Sequence, residues 1–158
     1  MGDSGRAGKV QEPRLVAVCV SARRTDPKSD IGEGTLYAGY GLLGDSHAGL
    51  NERQVSLVAL ESIERANREH GISARPGSFA ENLTTQGLDL LTLRIGDRLR
   101  IGPALLEVVQ IGKPPDTAHT YSFQGVSILP REGIFCRVLE GGRVARGDSI
   151  EVIRKGEV

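Results

Sequence analysis

Short, strongly β-like runs of residues, joined at glycine-containing turns, dominate the last third of the chain. Segment 97–111 reads DRLRIGPALLEVVQI, and segment 133–153 reads GIFCRVLEGGRVARGDSIEVI. Short apolar-rich runs bounded by turn residues are typical of β-strands. Each segment therefore predicts a β-hairpin, with the first turn at Gly102–Pro103 and the second at Gly141–Gly142, because glycine accepts the backbone angles of a tight turn.

Two Gly-Asp pairs recur in this part of the chain. Gly96–Asp97 and Gly147–Asp148 each stand just before a predicted strand. Glycine supplies a positive φ angle and aspartate bonds the nearby backbone, so each pair predicts a turn.

The N-terminal half predicts one buried strand, several short strands and one helix. Segment 14–22, RLVAVCVSA, is a nearly continuous apolar run that favours a strand covered on both sides. Segment 35–57 has too many glycines for a helix and favours short strands with loops. A helix is predicted at about 57–70, with Ser56 capping its start and Gly71 closing its end. Its apolar stripe comprises Leu57, Leu60, Ile63 and Ala66.

The fold class follows from these elements. Many short strands punctuated by turns, with a single clear helix and long loops, favour a mainly β fold with a closed or nearly closed barrel, because closure removes exposed strand edges. The length of 158 residues suits one domain. We expect a flexible N-terminal arm at 1–13 and one domain at 14–154.

Charge and composition exclude several functional classes. Twenty basic and twenty acidic residues give a formal net charge of zero, which argues against a general nucleic-acid binder or a membrane-surface binder. No apolar run approaches the roughly 20 residues that span a bilayer, so we expect a cytoplasmic, soluble protein. The two cysteines, Cys19 and Cys136, are far apart and lack metal-site spacing.

Three polar clusters are the candidates for chemistry. The first, in GDSHAGLNER, contains Asp45, His47 and Arg53 in a glycine-rich loop where backbone amides favour an anion. The alternative interpretation is that Asp45 forms a turn and Arg53 is a surface cation. The second cluster lies at 76–85 and could line a pocket or bond its own backbone. Its hydrogen-bonding side chains are Glu81, Asn82, Thr84 and Thr85.

The third cluster is the polar stretch that follows VVQI. Lys113 and His119 flank the pair Pro114–Pro115, which stiffens the backbone. Lys113 could hold an anion or be an ordinary lysine at the end of a strand.

Taken in order, several blocks of this sequence resemble the MOSC domain, named for the C-terminal domain of molybdenum cofactor sulfurase. The resemblance extends from about residue 15 to residue 152 and is that of a small stand-alone member. The blocks are GLLGDSHAG, RQVSL, PGSFAENLTTQGLDL, IGDRLRIGPALLEV and REGIFCRVLEGGRVARGDSIEV. The resemblance implies a MOSC-type β-barrel with a pocket for the molybdenum cofactor, a pterin that carries a phosphate, or for sulfur destined for a metal centre.

Together with this resemblance, the chemistry of the polar clusters gives the candidate site residues. His47, Lys113 and His119 would be the catalytic candidates. The ligand-binding candidates would be Asp45, Arg53, Phe79, Glu81, Asn82, Thr84 and Lys113, with Glu81, Asn82 and Thr84 either bonding the pterin ring or holding the loop. Pyridoxal phosphate is not expected, because in full-length sulfurases it belongs to an aminotransferase-like domain that this chain lacks.

One family feature is missing. Members typically carry a cysteine after the strand that ends like VVQIGK, and that cysteine is proposed to hold sulfur as a persulfide. Here Pro115 stands at that position, and the next expected thiol positions are His119 and Ser127. None of these side chains stores sulfane sulfur. Cys19 and Cys136 lie in predicted strands and are expected to be buried.

Three functions remain open at this point. The chain could bind or carry the cofactor or a related anionic ligand, in cofactor maturation or sulfur delivery, with molybdoenzymes or cofactor-biosynthesis proteins as partners. It could be an enzyme without a thiol, in which His47 or His119 acts as acid or base on a small sulfur-containing substrate. It could also be a catalytically silent interaction module, and a homo-oligomer is compatible with each of these functions.

Overall fold

The computed structural model describes residues 12–24, 26–112 and 122–156. Within them the chain is mostly strand, with one long helix, as the sequence predicts. The strands are β1 Arg14–Val20, β2 Ser29–Asp30, β3 Glu33–Tyr37, β4 Gly41–Leu42, β5 Val55–Ala59, β6 Leu83–Gln86, β7 Arg98–Ile101, β8 Ala104–Ile111, β9 Ile134–Glu140, β10 Gly142–Ala145 and β11 Ile150–Ile153. The helices are α1 Leu60–His70 and the four-residue α2 Leu129–Glu132, with a 3-10 turn at Leu90–Thr92.

Eight strands form one curled sheet in the order β11-β7-β8-β9-β5-β6-β1-β2, and β10-β3-β4 form a second, three-stranded sheet. The large sheet curls until its two sides meet. The Leu15 amide donates to the Asp148 carbonyl at 2.8 Å, and the Gly147 amide donates to the Leu15 carbonyl at 2.8 Å. These bonds satisfy backbone groups at the start of β1 that an open sheet would leave exposed. The predicted mainly β, barrel-type fold is confirmed.

The first predicted hairpin is confirmed and the second is wrong. β7 and β8 pair antiparallel across Gly102–Pro103. β9 and β10 do not pair with each other, because β10 leaves the large sheet and pairs with β3. Gly141 sits at this exit, where an added Cβ would lie 2.5 Å from the Leu36 carbonyl oxygen. This glycine therefore permits a close backbone approach instead of a hairpin turn.

Both Gly-Asp turns are present and have the same geometry. Gly96 and Gly147 each have φ of 96°. The Asp97 carboxylate accepts from the Arg94 amide at 2.8 Å, and the Asp148 carboxylate accepts from the Ala145 amide at 2.9 Å. The recurrence is thus one of turn chemistry, as the sequence suggests.

The predicted helix begins too early. Residues 55–59 form β5, which pairs parallel with β6 and antiparallel with β9, and α1 starts at Leu60. Ser56 is not its cap, since Ala59 occupies the N-cap position and no side chain bonds there. Gly71 does close the helix, in the left-handed conformation and with its amide bonded to the Asn67 carbonyl.

The apolar residues form two clusters. The larger lies inside the curled sheet and includes Leu15, Leu57, Leu83 and Leu106. The smaller lies outside it, where α1 and the segment after it pack on β5, and it includes Val58, Ile63, Phe79 and Phe135. Leu57 and Val58 therefore enter different clusters, which is the alternation of a strand buried on both faces.

Candidate functional site

A cleft opens where β1 ends and where β5 and β6 begin. It encloses about 720 Å³ of space, part of which is open solvent. Segments 44–53 and 76–85, which carry the first two predicted polar clusters, meet here. The lining residues are Arg24, His47, Leu50, Asn51, Arg53, Ser56, Ala80, Asn82, Leu129 and Phe135.

Two arginines bring positive charge to the cleft. Arg24 and Arg53 are exposed, and among the described residues neither forms an ion pair with a carboxylate. The Arg53 guanidinium lies over the Phe135 ring, 6.0 Å from its centroid, where the ring face attracts the cation. The cleft is therefore a local cationic site in a chain of zero formal net charge.

The loop that carries His47 is anchored by a buried ion pair. The Lys28 ammonium lies 2.7 Å from Asp45 Oδ1, and the two side chains are 1% and 0% exposed. The other Asp45 oxygen, Oδ2, accepts from the His47 amide at 3.1 Å. The Ser21 amide donates to Oδ1 at 3.2 Å. One carboxylate thus joins the end of β1, the segment before β2 and the loop before β5.

The charge of Lys28 decides the ionisation of Asp45. Burial by itself would raise the pKa of Asp45, but the hydrogen bond and charge of Lys28, together with bonds from Asn82 and the His47 amide, outweigh burial and lower it. Asp45 is therefore ionised in the folded protein, and the pair is a true ion pair.

Lys28 also contacts the side chain of His47. The Lys28 nitrogen lies 3.1 Å from Ser21 Oγ and 3.4 Å from His47 Nδ1. Lys28 is not among the site residues predicted from the sequence. The available signal was three cations, Arg23, Arg24 and Lys28, in one loop after a buried strand, because such a loop is positioned by the scaffold beneath it.

The second segment is held by Glu81 from beneath the cleft. Glu81 Oε2 accepts from the Gly77 amide at 2.9 Å and from the Thr84 hydroxyl at 2.7 Å. Glu81 is fully buried, and no hydrogen-bond partner for Oε1 is found among the described residues. Burial raises its pKa, although these hydrogen bonds act in the opposite direction. Of the two predicted roles for Glu81 and Thr84, their contacts match the one that holds the loop.

We expect the contribution of Glu81 to stability to fall as pH rises above 4.5, the ordinary pKa of this carboxyl group. The folded state holds the Glu81 proton to a higher pH than the unfolded chain does, so the unfolded chain is favoured across that window, by up to about 1.4 kcal/mol per pH unit. Glu81→Gln should remove this dependence in urea unfolding at a series of pH values, and Glu64→Gln, on the exposed side of α1, should not. Parallel pH curves for the wild type and Glu81→Gln would contradict the assignment.

Asn82 connects the cleft wall to the sheet. Its Oδ1 accepts from the Ser56 amide at 3.0 Å, and its Nδ2 donates to the Cys19 carbonyl at 3.2 Å. The side chain thus spans from β5 to β1 at the floor of the cleft. These bonds fix the edge that Ser56 and Asn82 present to a ligand.

The structure places the predicted residues in three groups. His47, Arg53 and Asn82 line the cleft. Four others are buried behind it: Asp45, Phe79, Glu81 and Thr84. Phe79 packs edge-to-face on Phe123, with ring centroids 6.0 Å apart. Lys113, Pro115 and His119 lie outside the described residues, so their roles stay predictions.

Both thiols are buried, as the sequence predicts. Cys19 and Cys136 have no exposed surface, and burial raises the pKa of each. Neither is among the residues that line the cleft. A buried thiol with a raised pKa is a poor nucleophile, so the geometry does not support a persulfide on either cysteine.

The described ranges contain neither a metal-binding cluster nor a membrane-spanning helix. Residues 12–24, 26–112 and 122–156 contain no group of three or more His, Cys, Asp or Glu side chains that could hold a metal ion. No helix in the same ranges has the length and apolar character needed to cross a bilayer.

Comparison with known proteins identifies relatives of this chain. A family model described as the MOSC domain matches residues 44–151, more than half of the chain. The uncharacterized protein YflK of Bacillus subtilis is 33% identical over 85 residues, which are 51% of this chain and 38% of YflK. The chain therefore spans well under two thirds of that relative.

Solved structures share the fold. The YuaD protein of Bacillus subtilis superposes with a TM-score of 0.72 at 22% identity, covering 90% of this chain and 96% of YuaD. YiiM of Geobacillus stearothermophilus superposes with a TM-score of 0.68 at 20% identity, covering 91% and 76%. YiiM of Escherichia coli has a TM-score of 0.62 at 24% identity, covering 90% and 70%. At these identities the likeness is one of fold.

Proposed function

The chain belongs to the MOSC domain family, and on that premise we propose that its cleft binds the molybdenum cofactor or a related anionic pterin or sulfur-containing ligand. The family is associated with molybdenum cofactor binding. The proposed role is that of a binding or carrier protein in cofactor maturation or sulfur delivery. Molybdoenzymes or cofactor-biosynthesis proteins would receive or supply the ligand.

The observation that carries the proposal is the pair of arginines at the cleft. A guanidinium binds a phosphate through two parallel hydrogen bonds. Arg24 and Arg53 line the cleft from different loops, so one anionic group between them would meet donors from two directions. This arrangement supports a phosphate-bearing ligand more than a neutral one.

The cleft residues also fit the organic part of the cofactor. Phe135, Leu129 and Leu50 form an apolar wall, while Asn51, Asn82 and Ser56 provide hydrogen-bonding groups. A wall of this kind suits a flat heterocycle with a polar edge. Arg24, Arg53 and His47 would hold the phosphate and Asn82 with Ser56 would orient the ring. When bound, the group supplies the redox chemistry of its metal.

The fit does not extend to a protein thiolate. Both cysteines are buried away from the cleft lining, so the described residues favour ligand binding over transfer through a protein persulfide. Lys113 and His119 would add an ammonium and an imidazole, as the sequence predicts.

We expect Arg53→Gln to weaken the binding of a pterin monophosphate about ten-fold or more, because a hydrogen bond to a charged group contributes roughly 1.5–3 kcal/mol. The measurement is titration calorimetry on the full chain. Arg68→Gln, which removes an exposed arginine from α1 outside the cleft, is the matched control and should bind like the wild type. Equal affinity in all three proteins would contradict the proposed site.

Purification from the native host tests the ligand class directly. Mass spectrometry of protein isolated without added ligand should detect a retained pterin, with or without molybdenum. Retention that is lost in Arg53→Gln and kept in Arg68→Gln would tie the ligand to this cleft. A protein that carries no pterin and does not bind one on addition would overturn the proposal.

A second candidate rests on His47. Because this imidazole lies in the cleft wall, an enzyme without a thiol could use it on a small sulfur-containing substrate. Turnover that is lost in His47→Gln while ligand affinity is largely kept would favour this function. Neither binding nor turnover would favour a catalytically silent interaction module.

A further inference from the structure

We propose that Lys28 is a positioning residue that fixes the neutral His47 imidazole as its Nε2–H tautomer. The Nε2 edge of His47 is then a hydrogen-bond donor instead of an unprotonated nitrogen. That this N–H meets the ligand rests on the proposed function. The tautomer itself rests only on the contacts of Lys28.

The donors of Lys28 and the acceptors around it decide which nitrogen of His47 is protonated. A lysine ammonium has three N–H bonds and no acceptor. Lys28 has three neighbours in reach: Asp45 Oδ1 at 2.7 Å, Ser21 Oγ at 3.1 Å and His47 Nδ1 at 3.4 Å. Only an unprotonated Nδ1 can accept from the ammonium. A proton on Nδ1 would set two donors against each other.

The Lys28 ammonium cannot easily move. Its side chain is 1% exposed, so water offers no replacement partner. The main chain of Lys28 is also held, because its amide donates to the Gly77 carbonyl at 2.9 Å. Asp45 also holds His47, because its Oδ2 accepts from the His47 amide at 3.1 Å. The ion pair therefore fixes both the backbone of His47 and one edge of its ring.

The opposite edge of the His47 ring carries Nε2. In a neutral imidazole one nitrogen accepts and the other donates, and the partner of one decides the state of the other. With Nδ1 bonded to Lys28, the proton is on Nε2. A protonated Nε2 suits an acceptor such as a phosphate or carbonyl oxygen and does not provide a base.

Nitrogen NMR of the full chain tests the tautomer without any ligand. The protein has three histidines, so His47→Gln identifies the resonances of His47. In the wild type we expect a protonated Nε2, an unprotonated Nδ1 and a through-hydrogen-bond correlation between the Lys28 ammonium and Nδ1. A proton on Nδ1, or no correlation between these two groups, would overturn the proposal.

A variant without the buried charges provides the second arm. Lys28→Met with Asp45→Asn removes the donor without leaving one buried charge unpaired. The Nδ1 signal should then shift toward that of a nitrogen without a hydrogen bond, whereas Lys155→Met, a lysine exposed far from the cleft lining, should leave it unchanged. An unchanged His47 signal in the double variant would show that Lys28 does not set the tautomer.

Ligand binding separates this proposal from the proposed function. The double variant should bind a pterin monophosphate about three-fold to ten-fold more weakly than Lys155→Met, because losing the fixed tautomer weakens this donor without removing it. If the wild type shows the predicted tautomer but binds no pterin, the proposed function fails and the positioning role stands. If pterin binds equally well to the double variant and to Lys155→Met, His47 is not a ligand donor.

Discussion

Lys28→Met is expected to lower the free energy of unfolding by about 3–5 kcal/mol, because it leaves the buried Asp45 carboxylate without its cation. The two side chains are almost completely excluded from solvent, so water cannot replace the lost partner. Urea unfolding of the wild type and the variant at neutral pH measures the difference. A loss below about 1 kcal/mol, the range of exposed ion pairs, would contradict the buried pair.

The double variant is the control for this prediction. Adding Asp45→Asn to Lys28→Met removes the unpaired charge and should recover most of the lost stability. The pair should also weaken in acid. Because the folded state lowers the pKa of Asp45, its contribution is present above the ordinary value of 3.8 and is lost as pH falls through the lower folded value. Lys28→Met with Asp45→Asn should lack this acid dependence.

Gly77→Ala is expected to lower the free energy of unfolding by about 3 kcal/mol, through backbone strain and overlap together. Gly77 has φ of 90°, and an added Cβ would lie 2.2 Å from the Lys28 carbonyl oxygen. That contact is with backbone, so no side chain can turn aside to relieve it. Thermal and urea unfolding measure the loss, and the loop that carries Glu81 should open with it.

Gly147→Ala is the matched control for Gly77→Ala. Gly147 has φ of 96°, and an added Cβ would have no atom within 4 Å. This change carries only the cost of a positive φ, about 1 kcal/mol. Equal losses in the two variants would show that the close approach of Gly77 to Lys28 does not matter for stability.

Lys28 and Gly77 belong to the same contact between the two loops of the cleft. Lys28 meets Asp45 through its side chain and Gly77 through its main chain, so the two loops that line the cleft are joined below its surface. A change at either contact should therefore disturb ligand binding as well as stability. Residues with almost no exposed surface therefore contribute to the candidate site by holding its loops together.

Local chemistry in the sequence determined much of the strand pattern and several turns. The hairpin at Gly102–Pro103, the two Gly-Asp turns and the closing of α1 at Gly71 each depend on neighbours within a few residues. The burial of Cys19 and Cys136 followed from apolar strands in the same way. The order of the MOSC-like blocks also indicates the family, which the match to the MOSC domain over residues 44–151 confirms.

Tertiary pairing alone decided that residues 57–59 are strand and not helix. Their apolar side chains fit either a helix or a strand. Pairing with β6 on one side and β9 on the other favours the strand, all of whose residues are buried. The same holds for β10, whose partner β3 is remote in sequence. Periodicity within a segment does not reveal which distant strand will offer its hydrogen-bonding edge.

The centre of the candidate site was also decided by tertiary structure. Asp45 was recognised from its loop, but Lys28 was not, because its ion pair joins residues 17 positions apart that share no motif. Arg24 and Phe135 reach the cleft from a third and a fourth part of the chain. A sequence shows which side chains can carry charge, whereas burial decides which charges must be paired, and burial exists only once the sheet has curled and the loops have closed over it.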